Sequence, residues 1–209
     1  MKISYSILTH NETNTLEKLL KFLVKWKQPQ DEIIILDDYS DDIKTKQILD
    51  FYVSAHDIVF EERNLLNDFA TQKNHLKSMC SGDYSFNLDA DEMISLWLIK
   101  NIHGILEENE IDMVYLPRIN TVDGLTEEHA RYWGWSVNQD GWVNFPDWQM
   151  RIYRNKEEIY WIKPVHEQLK GYTKFANLPA EEKFALYHPK DIGRQEKQNK
   201  LYETINNRG

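Results

Sequence analysis

The sequence predicts an α/β protein built on a mostly parallel sheet flanked by helices. Three observations carry that prediction. Short β-rich runs alternate with amphipathic stretches through the first half of the chain, turn and cap residues punctuate them, and polar clusters follow several of the apolar runs.

Ile3, Tyr5 and Ile7 begin the first strand. Leu16, Leu19, Leu20, Leu23 and Trp26 then recur on one face of a helix, opened by Asn14 with Glu17 three residues later and closed by Pro29. The run Ile33, Ile34, Ile35, Leu36 predicts the second strand, the polar turn DDYSDD follows, and a helix passes through Ile48, Leu49 and Tyr52. Residues 57–60 predict the third strand, and a third helix runs from near Phe69 to Ser81, with Gly82 as the left-handed residue that helix ends favour. Residues 84–88 form the fourth strand and run into LDADE, after which 96–106 read as helix and 113–116 as the fifth strand.

From about Thr121 the texture changes. Trp133, Trp135, Trp142, Trp148 and Trp161 crowd a stretch without helical period, interrupted by Gly124, Gly134 and Gly141, which predicts loops and short strands. Trp148 and Trp161 lie in strand-like runs and are expected to be buried. Residues 192–206 are polar and helix-prone, the pattern of a solvated surface helix. The organisation expected is one domain over 1–209, with a first half at 1–118, a second at 119–190 and a C-terminal helix at 191–209.

Composition narrows the function. The chain has 209 residues, and 41% hydrophobic residues at that length suffice for a sizeable core. Asp and Glu number 34 against 25 Lys and Arg, a net charge of -9, which argues against nucleic acid as a partner because such binding rests on clustered basic side chains. Cys80 is the only cysteine, so neither an intrachain disulfide nor a Cys-based zinc site can form; it is expected to be packed and inert. The N-terminus reads as a strand rather than a signal peptide, and a cytoplasmic location is expected. The apolar runs are far shorter than the roughly 20 residues of a transmembrane helix, leaving at most peripheral membrane contact.

In open α/β sheets ligands bind beyond the carboxyl ends of the strands. Three polar sets fall there: THNE at 9–12, DDYSDD at 37–42 and DADE at 89–92. Neither GxGxxG nor GxxxxGK[ST] occurs, so no glycine cradle is available for phosphates. A divalent cation would offset phosphate charge instead. Asp89 and Asp91 stand two apart on an extended segment and point the same way, and Mg or Mn favours such oxygen ligands together with substrate phosphates.

These motifs, in this order, resemble the inverting glycosyltransferases of family 2, which have the GT-A fold. FATQKN at 69–74, FPDWQMRIYR at 145–154, KPVHE at 163–167 and EKQNKLY at 196–202 extend the resemblance, and the subgroup they resemble is the bacterial lipopolysaccharide-core and surface-polysaccharide glucosyltransferases. The resemblance implies a nucleotide diphosphate sugar donor, a carbohydrate or glycolipid acceptor and Mn or Mg as cofactor. It implies donor contacts from Thr9, Asn11, Glu12, Asp38, Lys73, Asp89 and Arg151, metal ligation by Asp91 and His166, and Asp147 as catalytic base. Apart from the resemblance, Glu92 of the DADE turn is the alternative base. Lys73 stands where the subgroup usually has Arg, so bidentate phosphate contact is lost. Trp133, Trp135 and Trp142 are expected to shape the acceptor side by stacking on sugar rings.

Each assignment has a structural alternative. His166 can be a hydrogen-bonded structural histidine, Glu12 a helix cap, Asp37 and Asp38 turn builders, and the Trp cluster a second small core. At the level of function, the alternatives are a glycoside hydrolase using two carboxylates and a non-catalytic carbohydrate-binding module on the same scaffold.

Overall fold

A computed structural model of the chain describes residues 1–197. The first half runs β1 (Ile3–Thr9), α1 (Asn14–Trp26), β2 (Glu32–Asp37), α2 (Ile43–Ala55), β3 (Ile58–Glu62), α3 (Phe69–Ser78), β4 (Tyr84–Asp89), β5 (Met93–Ile94) and α4 (Leu96–Asn109). The second half adds β6 (Met113–Asp123), α5 (Glu127–Trp133), β7 (Val143–Arg154), β8 (Tyr160–Ile162), β9 (Gln168–Lys170), β10 (Phe175–Asn177) and β11 (Leu186–Asp191). Residues 192–197 begin a helical segment; the rest of the C-terminal helix expected at 191–209, and of the EKQNKLY motif, lies outside the described residues.

The main sheet follows the order β3-β2-β1-β4-β7-β6-β11-β5, with β10 joining β6. β1, β2, β3 and β4 are parallel neighbours, as are β6 and β11. β7 runs antiparallel to both β4 and β6, and at the edge the short β5 runs antiparallel to β11. β7 therefore wedges the second half of the chain against the first at the centre of the sheet. The β6–β7 ladder shifts register between Arg118 and Asn120, the kind of irregularity that re-aims side chains near a site.

Apolar periodicity dictates the packing. Leu16, Leu19, Leu20 and Leu23 of α1 are fully buried in the same core as Tyr5, Phe86 and Leu98. Burying each such leucine is worth about 1.5–3 kcal/mol. A smaller cluster of Met113, Tyr153, Ile159, Trp161 and Leu169 seats the β8–β9 hairpin under α3. Trp161 is buried as expected, whereas Trp148 is half-buried.

Three local expectations need correction. Asn14 is the first helical residue of α1; Thr13 is the N-cap and makes no side-chain cap bond. Helix α3 stops at Ser78, and Gly82 is not left-handed. Gly82 is required for a different reason: a Cβ there would lie 2.6 Å from Ser4 Oγ and 2.8 Å from Ser4 N, so only glycine lets this turn approach β1. The Trp-rich stretch also contains a helix, α5, which is capped by reciprocal bonds between Thr126 and His129 and ends on left-handed Gly134.

Glu32 ties the starts of three strands together. Its carboxylate accepts from Lys2 Nζ at 2.6 Å, Ser4 Oγ at 2.5 Å, Ser81 N at 2.6 Å and Ser81 Oγ at 2.7 Å. Burial pushes the carboxyl up, but these donors outweigh it and hold it down at about 2, against an ordinary 4.5. A carboxyl lowered on folding stabilises the protein above its unfolded value and loses that contribution as pH falls through the folded one. Glu32→Gln should therefore cost about 1–2 kcal/mol at neutral pH, allowing for partial solvent screening. In urea titrations the gap to the parent should close as pH drops from 4.5 toward 2.

Candidate active site

The carboxyl end of β1 is the point where the polar segments meet. Leu8 O accepts from Ala90 N of the DADE turn at 3.1 Å, and Thr9 O accepts from Asp38 N of the DDYSDD turn at 2.9 Å. Thr9 itself is buried, and its hydroxyl has no protein partner. Asn11, at φ 54, stitches the turns together: its Oδ1 accepts from Asp41 N and Asp42 N, and its Nδ2 donates to Asp41. Asp37 builds the turn by accepting from Ser40 N and Oγ. Asp38 accepts from Leu65 N at 2.8 Å and so links the turn to the loop after β3.

Period-two alternation supplies the floor of the cleft. Asp147, Gln149 and Arg151 share one face of β7, while Arg118 and Asn120 of β6 and His188 and Lys190 of β11 line up beside them. Asp147 is in register with Arg118, and Asn120 with His188. The DADE turn docks onto this polar face through charge. Glu92 is fully buried, with its Oε1 2.5 Å from Arg151 Nη2 and 3.2 Å from Arg118 Nη1. Its other oxygen accepts from Asp89 N at 3.2 Å.

Arg151 also donates to Asp89 Oδ2 at 2.6 Å. Burial pushes the Asp89 carboxyl up, but the charges of Arg151, Lys73 and Arg118 hold it well below the usual range. Arg151 is only 3% exposed and its Nε has no partner. Its bonds go to Asp89 and Glu92 and orient both carboxylates. Glu92 is enclosed by two guanidiniums without solvent access.

Asp147 lies at the mouth of the same network. Arg118 Nε and Nη2 donate to its Oδ2 at 2.9 and 2.7 Å, Asn120 Nδ2 donates to the same oxygen at 2.8 Å, and Gln149 Nε2 donates to Oδ1 at 2.8 Å. Burial raises this carboxyl, and Arg118 with the amide donors more than compensates, so it is held below its ordinary value. Its side chain remains 28% exposed.

Asp91 stands at the centre of the edge. His188 Nε2 is 3.1 Å from its Oδ2, and Arg194 Nη2 donates to that oxygen at 2.9 Å. Arg194 also pairs with Glu12, which accepts from the Thr15 hydroxyl at 3.0 Å rather than capping α1 through a backbone amide. Burial raises the Asp91 carboxyl, and the His188 hydrogen bond and charge lead the effects that bring it below its usual range.

The histidine beside Asp91 is therefore His188, not His166. His166 is exposed on the 163–167 loop at φ 53. That loop borders the site through α3: Pro164 O accepts from Phe69 N at 3.0 Å, and Glu167 lies 3.4 Å from Lys73 Nζ. Lys73 is buried over the Trp161 ring, 4.7 Å from its centroid. His188 carried little signal in the sequence, since YHPK reads as an ordinary strand end and only the β6–β11 pairing brings it to Asp91. Arg118, Asn120 and Arg194 were missed for the same reason.

Trp133, Trp135 and Trp142 are half-buried. The Trp133 and Trp135 rings lie 4.7 Å apart, and Trp142 packs edge-on to Phe145 at 4.8 Å, two residues before Asp147. Among the described residues no group of three or more His, Cys, Asp or Glu is arranged to hold a metal ion. Asp91 Oδ2 and His188 Nε2 nevertheless have the spacing of two adjacent donors on one ion, because ligands about 2.1 Å from an octahedral cation sit about 3 Å apart. No helix among the described residues is long and apolar enough to cross a membrane.

The sequence model described as Glycosyl transferase family 2 matches residues 4–176. Comparison with curated proteins finds no match. Among solved structures, S. aureus TarS 1–349 is similar at a TM-score of 0.64 and 17% identity, covering 90% of this chain and 60% of that one. The same protein in complex with UDP-GlcNAc is similar at 0.63 and 19% identity, with 90% and 58% covered, and in complex with UDP at 0.63 and 18%, with 90% and 60% covered. The chain thus spans about three fifths of those relatives, and at such identities the likeness is one of fold, here the GT-A fold.

The burial of Glu92 makes a prediction. Removing one partner of a buried ion cluster leaves uncompensated charge and costs about 3–5 kcal/mol. Glu92→Gln should lower stability by about that amount in denaturant titrations; an unchanged midpoint with lost activity would assign Glu92 a chemical role instead.

Proposed function

The chain belongs to glycosyl transferase family 2, and on that premise we propose that it moves a hexose from a nucleotide diphosphate donor to a carbohydrate or glycolipid acceptor, with inversion and with help from Mn or Mg. The observation that carries the reading is the convergence of Asp91, His188, Asp89 and Asp147 on one polar sheet face beyond the end of β1. Asp91 and His188 would hold the cation, and Glu12, Asp38 and Thr9 line the first two turns, where a nucleoside would lie. A bound divalent cation shields diphosphate charge and so favours departure of the nucleotide.

The rest of the chemistry falls to this chain's own groups. Breaking the bond between the anomeric carbon and the diphosphate oxygen builds negative charge on the leaving group. Lys73, Lys190 and Arg194 supply positive charge around that place, and it is worth more as the charge develops. On the opposite side of the sugar, Asp147 accepts the proton of the acceptor hydroxyl as that oxygen attacks. Arg118, Asn120 and Gln149 hold the carboxylate ionised and aimed. Trp133, Trp135 and Trp142 offer aromatic faces for the acceptor ring.

The hydrolase alternative fares worse on electrostatics. It needs one carboxylic acid kept protonated by a raised value. Asp89, Asp91 and Asp147 are all held below the ordinary range, and Glu92 faces two guanidiniums.

Calorimetry with UDP, GDP and CDP tests the donor half. Affinity for one of them should depend on Mn and fall at least about tenfold in His188→Ala or Asp91→Ala, as loss of a metal ligand predicts. Lack of binding to every nucleotide, with and without Mn, would remove the transferase reading. The acceptor half is tested by Asp147→Asn, which should lower kcat by about 10²–10⁴ while leaving the donor KM nearly unchanged. Because Asp147 is held below its ordinary value, the parent's rate should remain on its plateau down to the lower edge of the carboxylate range before an acid limb begins.

A further inference from the structure

Asp147 is held unevenly, and the unevenness distinguishes its two oxygens. Arg118 Nε and Nη2 both donate to Oδ2, at 2.9 and 2.7 Å, and Asn120 Nδ2 adds a third donor to the same atom at 2.8 Å. Oδ1 receives a single protein bond, from Gln149 Nε2 at 2.8 Å. An arginine fork frequently lays its two N–H groups along both oxygens of a carboxylate. Here both fall on one. Strand register sets the arrangement, because Asp147 stands opposite Arg118 in the antiparallel β6–β7 ladder and Gln149 follows two residues on along the same face.

Lone pairs then decide which oxygen can react. An ionised carboxylate offers about two acceptor directions on each oxygen. Three donors fill Oδ2, whereas the single donor on Oδ1 leaves a direction open on a side chain that is part-exposed. Gln149 has an unmet group of its own. Its NH2 must face the carboxylate, which only accepts, so its Oε1 turns away from Asp147, and none of the described residues donates to it. Two acceptor oxygens, Asp147 Oδ1 and Gln149 Oε1, therefore stand on neighbouring side chains joined by one hydrogen bond.

We propose that Asp147 takes the acceptor's proton on Oδ1 and that Gln149 is the specificity residue beside it, so that the acceptor is a sugar with two adjacent hydroxyls, one donating to Asp147 Oδ1 and its neighbour to Gln149 Oε1. The inference rests on the transferase reading and on Asp147 as its base. The proton of the first hydroxyl passes to Oδ1, an electron pair of that hydroxyl oxygen forms the new bond to the anomeric carbon, and the pair of the breaking carbon–oxygen bond leaves with the diphosphate. Arg118 and Asn120 keep their hold on Oδ2 while this happens. A single alcohol meets one of the two acceptor oxygens, whereas a vicinal diol meets both.

Small alcohols test this without the natural acceptor. The full chain is given Mn with UDP-, GDP- or CDP-glucose or UDP-GlcNAc, and the sugar transferred to water, ethylene glycol or 2-methoxyethanol is separated and measured. The two alcohols share the same attacking group, but only ethylene glycol has a second O–H to donate. Per hydroxyl, the parent should prefer ethylene glycol by about 2–10-fold, the effect of one additional hydrogen bond. Gln149→Met should bring that ratio to about one and lower every rate, because Asp147 loses a donor. Asn120→Ala acts on Oδ2 and should lower the rates with water and both alcohols by a common factor, leaving the preference intact.

Equal use of the two alcohols by the parent overturns the proposal while leaving the transferase reading standing, and does so even if Gln149→Met fails to fold. A preference that survives in folded Gln149→Met overturns the part given to Gln149. One that collapses in folded Asn120→Ala overturns the choice of Oδ1. Absence of turnover with every donor and every acceptor overturns the inference together with the transferase reading on which it rests.

Discussion

Glu92 is the acid on which the site is hung. A carboxylate removed from water is costly unless charge and hydrogen bonds replace the lost hydration, and here two guanidiniums, from Arg118 and Arg151, do so. Each guanidinium also reaches outward to a second carboxylate, Arg151 to Asp89 and Arg118 to Asp147. The buried cluster therefore fixes the positions of acids on both sides of the cleft at once. A core of the same shape built from apolar residues would hold the turn in place, but it would orient neither Asp89 nor Asp147.

This coupling explains why the antiparallel strand β7 lies where it does. A purely parallel sheet would bring loops to one edge and leave the strand faces covered by helices on both sides. Inserting β7 between β4 and β6 carries Asp147, Gln149 and Arg151 under the DADE turn, and pairing β6 with β11 adds His188 and Lys190. The acids of the first half thereby meet the cations and amides of the second. Residues more than 90 positions apart, such as Asp91 and His188, become neighbours by strand order alone.

The charge distribution follows the same logic. The chain carries a net charge of -9, yet Lys73, Arg118, Arg151, Lys190 and Arg194 gather around one edge. Burial pushes the Lys190 ammonium down, with the negative charge of Asp91 partly opposing it. Arg194 bridges Glu12 and Asp91, so the segment after β11 contributes a charge of its own to the first and fourth strand ends. An anionic ligand would meet locally balanced charge there rather than the repulsion that the overall composition would impose.

Local chemistry made much of this legible in the sequence. Strands β1 to β4 and the start of β6, the leucine face of α1, and the polar turns after β1, β2 and β4 all follow from short-range periodicity and residue type, which act within a few residues. Resemblance added the family. Tertiary structure decided the rest, because the deciding contacts are long-range: the placing of His188 rather than His166 beside Asp91, the burial of Glu92 and Arg151, and the seat of the Asn120 amide between Asp147 and His188. Gly82 shows the same division on a small scale. Its place after a helix suggested a left-handed cap, but the reason for glycine is the close approach of β1, which lies some 78 residues away in the chain. Short-range pattern specifies which segments become strands and helices; which side chains face one another depends on strand order and register, and those are set only when the whole sheet is assembled.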